Sequence, residues 1–172
     1  MRDPKQQILH WCRDGDAQAF REFYRAQAGK LWKFLIARGC DRDAAYDLLA
    51  EAFLRFVKNV CRDPREPVAL LYRIALNLRI DSYRRGRAAP WAQGVSADDI
   101  DAATTPEPPE YAEIRGVLST LPESEQNLLL MRYWIGLSHK EIAQALDLPE
   151  GTVRRQCSEI LQTLRERLNG DE

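Results

Sequence analysis

Apolar side chains recur at helical spacing through most of the chain, and strand-like alternation is absent. Phe20, Phe23, Tyr24, Leu31, Phe34 and Leu35 make one stripe, which Asp16 can cap and Gly39 can close. Ala45, Leu48, Leu49, Ala52, Phe53, Phe56, Val57 and Val60 make a second, with Asp41 as its cap candidate. Pro64 and Pro67 then break the chain, and a third long helix runs from about Val68 to Arg87 with Leu70, Leu71, Ile74 and Leu78 inward. A short helix around Ile8 to Arg13 precedes them. The pattern predicts a compact helical bundle.

The periodicity stops between Arg87 and Glu110, where three prolines crowd into four positions and too few apolar residues remain to offset the entropy of ordering the chain. The segment reads as a flexible linker. Beyond it, Thr120-x-x-Glu123 and Ser138-x-x-Glu141 each have the form of a capping box before an apolar run. Gly136 ends the helix carrying Leu128, Leu129 and Tyr133, a short helix spans His139 to Leu146, and Pro149 opens a last one. That last helix is expected to bury Val153, Cys157, Ile160, Leu161, Leu164 and Leu168. A short helix, a tight turn and a longer helix form a helix-turn-helix pattern. The expected architecture is all-α: two small helical domains, residues 1–87 and 111–172, joined by a flexible acidic linker over 88–110.

Charge sharpens this division. The 172 residues carry a formal net charge of -1, yet residues 1–95 sum to +7, residues 96–112 to -5 and residues 113–172 to -3. A neutral total therefore hides a basic module, an acidic connector and a mildly acidic module. No apolar run approaches the ~18 residues of a membrane span, and MRDPKQQ lacks the apolar core of a signal peptide, so a cytoplasmic protein without membrane insertion is expected. Cys12, Cys40, Cys61 and Cys157 form no C-x-x-C pair and, with only His10 and His139, no metal-ligand spacing. They read as small, half-buried hydrophobes in a reducing compartment. No nucleophile with a base, phosphate-cradling loop or metal cluster stands out, so neither an enzyme nor a cofactor is expected.

Three surfaces invite function. Asp43, Asp47 and Glu51 stack at i, i+4 and i+8 along one helix edge; like charges there repel, so either a basic partner or plain solvation by water accounts for them. On the third helix Arg73, Asn77 and Arg84 share a polar face, with Tyr72 and Tyr83 nearby and Arg84, Arg85 and Arg87 at the end. Cations there complement the helix dipole, but arginine and tyrosine interleaved with asparagine also offer phosphate neutralisation, base stacking and base-edge hydrogen bonds. On the last helix Thr152, Arg154, Arg155, Ser158 and Gln162 point outward at the end that would enter a major groove.

These residues resemble the extracytoplasmic-function sigma factors over nearly the whole chain. LPESEQNLLLMRYWIGLSHKEIAQALDLPEGTVRRQ resembles the domain that binds the minus-35 element, ALLYRIALNLRIDSYRRGR the helix that opens the minus-10 element, and DLLAEAFLRF the helix that docks on the β′ coiled coil of RNA polymerase. The resemblance implies polymerase contacts by Asp43, Asp47 and Glu51. It implies minus-10 contacts by Asn59, Arg62, Arg65, Tyr72, Arg73, Asn77, Tyr83, Arg84 and Arg85, with the loop from Asn59 to Pro67 capturing a flipped base. Minus-35 contacts would fall to Lys140, Thr152, Arg154, Arg155 and Ser158. The implied partners are core RNA polymerase, through its β′ coiled coil and β flap, promoter DNA, and an anti-sigma factor or other regulator. The acidic linker would run through the polymerase toward the active-site cleft, mimicking nucleic-acid charge. The docking helix departs from the family's A-E-D-L-V-Q-E pattern, reading Ala45-Tyr46-Asp47-Leu48-Leu49-Ala50-Glu51, and Asp147 replaces a frequent turn glycine, a position aspartate tolerates better than most residues. The net -3 of the second module implies weak DNA binding on its own. From another class, a helix-turn-helix regulator that binds duplex DNA without directing polymerase shares the last motif but needs neither the docking helix nor the basic third helix.

Overall fold

The computed structural model of the chain describes residues 2–85 and 109–170; of residues 83–85, 109–112 and 114 only the backbone is described. Much of the expected linker, residues 86–108, lies outside the described residues. Every regular element among the described residues is helical. The first group comprises α1 (Pro4–Asp14), α2 (Ala17–Ala37), α3 (Arg42–Asn59), a 3-10 turn (Val60–Arg62) and α4 (Pro67–Arg85). The second comprises α5 (Pro109–Leu118), α6 (Glu123–Leu129), a π-helical turn (Leu130–Ile135), α7 (His139–Leu146) and α8 (Glu150–Gly170).

Local capping explains where these helices start. The carboxylate of Asp3 accepts from the Gln6 N–H, that of Asp16 from the Gln18 and Ala19 N–H groups, and that of Asp41 from the Ala44 N–H. Each satisfies donors that a helix start leaves unpaired. A salt bridge from Arg2 at 3.0 Å, with the capping bonds, holds the Asp16 carboxyl below the usual carboxylate range. Ser138 and Glu141 form the full reciprocal box. The Thr120 box is corrected: α6 starts at Glu123 with Pro122 before it, and the Thr120 hydroxyl instead donates to Val117 O at 2.7 Å, closing the helix that precedes it. Gly136 (φ 87°) and Asp147 (φ 56°) take the left-handed turns that end the π-helical turn and α7.

In the first group Phe23 stacks on Phe56 with centroids 5.1 Å apart, joining α2 to α3, and Phe34 meets Tyr72 edge-on at 5.5 Å, joining α2 to α4. In the second, Leu128, Leu130, Met131, Ile142, Val153, Cys157 and Ile160 are buried. Leu168, expected inside, is 71% exposed in the last turn of α8. The buried side chains of both groups form one continuous cluster, since α4 packs against α3 on one side and α7 on the other.

That double packing places Tyr72 differently from the sequence reading. It is fully buried where α4 meets α7 and its hydroxyl has no hydrogen-bond partner, so in this closed arrangement it is a core residue. Burial, helped by the nearby charge of Glu141 on α7, drives the phenol pKa up. The cysteines are corrected too: Cys12 near the end of α1 and Cys61 in the 3-10 turn, 49 residues apart in sequence, form a disulfide, their Cα atoms 5.4 Å apart. Only the packing of α1 beside the 3-10 turn brings them within bonding reach. Cys40 and Cys157 are free, half-buried and buried respectively, as expected.

Candidate nucleic-acid and partner interfaces

The α3 helix turns its apolar stripe into the bundle, which leaves Asp43, Asp47 and Glu51 exposed along the opposite edge. Glu51 accepts from Arg55 Nε at 3.0 Å, so one of the three carboxylates is partly neutralised within the helix. A groove of about 320 Å³ runs between this edge and α4, lined by Asp47, Leu48, Glu51, Arg55, Leu78, Asp81 and Ser82 among others. Asp81 thus adds a carboxylate from a different helix. Sequence spacing gives no sign of it, because Asp81 joins the edge only through the packing of α3 on α4. Leu54, 56% exposed one turn beyond Glu51, supplies an apolar side chain to the same edge. Acids around a solvent-facing leucine suit a partner surface that is basic at its rim and apolar at its centre.

The cationic candidates converge elsewhere. A cleft of about 600 Å³ between the two groups of helices is lined by Lys5 of α1, by Asn59, Arg62, Asp63, Arg65 and Glu66 around the 3-10 turn, by Ala69, Leu70 and Arg73 of α4, and by Lys140 and Gln144 of α7. Five of these side chains are cations and two are acids. Arg65 grips Asp63 through Nε at 2.7 Å and Nη2 at 2.9 Å, which lowers the Asp63 carboxyl pKa and gives the loop a fixed turn. Asn59 donates to Arg55 O at 2.8 Å, tying the loop's start to α3. Arg73 and Asn77 are exposed on α4, as the sequence pattern predicts. Tyr83, Arg84 and Arg85 fall on the last turn of α4, where only the backbone is described.

Two contacts close this cleft. Arg73 donates to Gln144 O, and Lys140 Nζ lies 3.1 Å from a Glu66 carboxylate oxygen. A candidate for the minus-10 strand and one for the minus-35 duplex therefore share one cleft, each held by the opposite group. A third contact, deeper in, involves Arg38: its buried guanidinium donates to the Gln126 side chain and sits 3.8 Å from Glu123. Burial, and next the charge of Arg79, push the Arg38 pKa down to about 10, and two of its nitrogens have no hydrogen-bond partner. A buried charge satisfied by half is costly. The two groups are joined by a contact that gains little from its most buried ion.

On α8 the first turns present Thr152, Arg154, Arg155 and Ser158 away from the buried Val153 and Cys157. Arg154 is bound to Glu150 at 2.7 Å, and Arg155 is 3.8 Å from Glu159. These exposed pairs are worth less than about 1 kcal/mol and yield readily to a phosphate. The tight turn at Asp147 sets α8 beyond α7 as in a helix-turn-helix. Among the described residues there is no cluster of histidine, cysteine or carboxylate able to hold a metal, and no helix long and apolar enough to cross a membrane.

The chain is similar to known proteins in sequence and fold. Residues 117–166 match the family described as sigma-70, region 4. Over 164 residues the chain is 26% identical to the ECF RNA polymerase sigma factor RpoE of Cereibacter sphaeroides, covering 90% of this chain and 88% of that protein. Over 166 residues it is 29% identical to the RNA polymerase sigma-H factor of Pseudomonas aeruginosa, covering 87% and 86%. Its fold is similar to the solved structure of CnrH in complex with the cytosolic domain of CnrY, with a TM-score of 0.69 at 20% identity over 99% of this chain and 100% of that one.

Proposed function

We propose that this chain, which belongs to the extracytoplasmic-function sigma factors and directs transcription initiation by RNA polymerase, divides the task among three surfaces. The acidic edge of α3, with Asp43, Asp47, Glu51, Asp81 and the exposed Leu54, docks on a basic surface of the core enzyme, the β′ coiled coil. The loop from Asn59 to Pro67 and the polar face of α4, with Arg73, Asn77, Tyr83, Arg84 and Arg85, take the melted minus-10 strand. The first turns of α8, with Thr152, Arg154, Arg155 and Ser158, and Lys140 of α7 meet the minus-35 duplex, while the second group leans on the β flap. The observation that carries this reading is the segregation of charge, acids on the α3 edge and cations around α4 and its preceding loop. The protein acts in the cytoplasm by binding alone.

The closed cleft sets a condition on this function. Elements centred near -10 and -35 lie roughly 25 base pairs apart, about 85 Å along B-form DNA. A compact chain of this length is only about 40 Å across by size scaling. The two groups must therefore separate to read both elements. The expected linker, if extended, reaches about 75 Å, enough for the purpose. Opening also frees Arg73 and Lys140 for DNA and returns Arg38 to water. A regulator that grips the closed arrangement would keep the factor silent, the role the resemblance gives an anti-sigma partner.

Carbodiimide cross-linking tests the opening, because it joins a lysine to a carboxylate only at contact distance. The free chain is expected to yield a Lys140–Glu66 cross-link, and addition of core polymerase with promoter DNA to suppress it several-fold. An equal yield in the assembled complex would contradict separation of the two groups.

A further inference from the structure

The disulfide between Cys12 and Cys61 has no part in the surfaces assigned above, yet it is bonded directly to one of them. Cys61 is the middle residue of the 3-10 turn Val60–Arg62, with Asn59 two residues before it and Arg62 next. We propose that Cys12 and Cys61 are a reversible thiol–disulfide site at which oxidation by a peroxide fastens the strand-capturing loop to α1 and raises affinity for single-stranded DNA. The proposal rests on the reading of the Asn59–Pro67 loop given above.

The site joins α1 to an exposed loop. On the α1 side, Asp3 caps the helix, Ile8 is buried, and Trp11 packs against Phe20 with centroids 4.7 Å apart. On the loop side, Val60 and Pro67 are buried anchors, but Cys61, Arg62, Asp63 and Arg65 between them are exposed. Exposed segments with few buried contacts are the ones that open locally. With the bond formed, the loop is held to α1 and less order has to be established on binding. With the bond reduced, that order must be established on binding, which weakens affinity.

The chemistry balances with a peroxide as the oxidant. The Cys61 thiolate attacks the O–O bond, giving a sulfenic acid and releasing hydroxide, which becomes water. Cys12 sulfur then attacks that sulfenic sulfur, forming the S–S bond and expelling a second hydroxide. Two electrons pass from the sulfurs to the peroxide, and the two thiol protons end in two molecules of water. A dithiol reductant reverses the bond by exchange at the sulfur of Cys61, an exposed residue, returning two electrons and two protons. Cytoplasmic reductants keep such a pair reduced at rest, so the bonded form marks oxidant exposure. The other cysteines do not compete: burial pushes the thiols of Cys40 and Cys157 up and keeps them protonated.

Peptide mapping without reductant, after treating the full chain with hydrogen peroxide and removing it, should recover a Cys12–Cys61 linked peptide. The oxidised and dithiol-reduced chains are then each bound to core polymerase and titrated with a randomised pool of single-stranded DNA. The oxidised complex is expected to bind about tenfold more tightly, the effect of preordering one or two long side chains. Cys12→Ser and Cys61→Ser should bind like the reduced chain in both conditions, and the reduced wild type gives the same comparison without any substitution. Equal affinity of both forms, weaker binding by the oxidised form, or no linked peptide overturns the redox site and leaves the sigma-factor reading intact. Binding of the pool by neither form overturns both.

Discussion

Replacing Asp47 and Glu51 together by arginine is expected to lower affinity for core polymerase by about 100-fold, within the 2–5 kcal/mol that losing desolvated charge contacts costs. The helix itself should survive. Its fold depends on Leu48, Leu49, Ala52, Phe53 and Phe56, all buried on the other side. The substitution breaks the exposed Glu51–Arg55 pair and sets three arginines at i, i+4 and i+8, each effect amounting to a few tenths of a kcal/mol. Circular dichroism and thermal unfolding should therefore change little while fluorescence titration with core polymerase changes greatly. Undiminished association would remove the α3 edge as the docking surface.

The double substitution Arg84→Ala and Arg85→Ala addresses the last turn of α4. If both cations hold phosphates of the melted strand, the slope of log affinity against log salt flattens by about 1.4, and binding at low salt falls by roughly tenfold or more. If they only complement the helix dipole, the loss appears as about 0.3–1 kcal/mol of stability per residue, with the slope unchanged. Permanganate reactivity of unpaired thymines at the minus-10 element, measured over a salt series, separates the two. Full reactivity with an unaltered slope would return these residues to a purely structural role.

The residues that could be read from sequence are those whose role is local. Asp16, Asp41 and Ser138 cap the helices they precede, and Gly136 and Asp147 take left-handed turns, because each acts on backbone within a few positions of itself. Thr120 has the spacing of a capping box but closes α5, a choice set by Pro122 and the turn between the helices. Tyr72 lies on a polar-looking face of α4 that periodicity assigns to solvent. It is buried because α4 packs on a second side against α7, a contact 70 residues away in sequence. The same non-local packing hides Asp81 in the acidic groove, Arg38 between the two groups and the bond from Cys12 to Cys61. Charge by segment, by contrast, anticipated part of the surface chemistry: Lys5, Arg62, Arg65 and Arg73 of the basic segment line one cleft, while the -3 of the second module shows in Glu150 and Glu159 holding Arg154 and Arg155.

That last detail explains why the second group is expected to grip DNA weakly alone and to depend on polymerase for its place on the promoter. The most direct measurement is in vitro transcription with the purified chain, core RNA polymerase and a randomised promoter library. Transcripts are expected to start from a subset of sequences ignored by core alone, sharing one motif near -10 and another near -35. Silence across the library, from a chain that still binds duplex DNA, would contradict the sigma-factor reading.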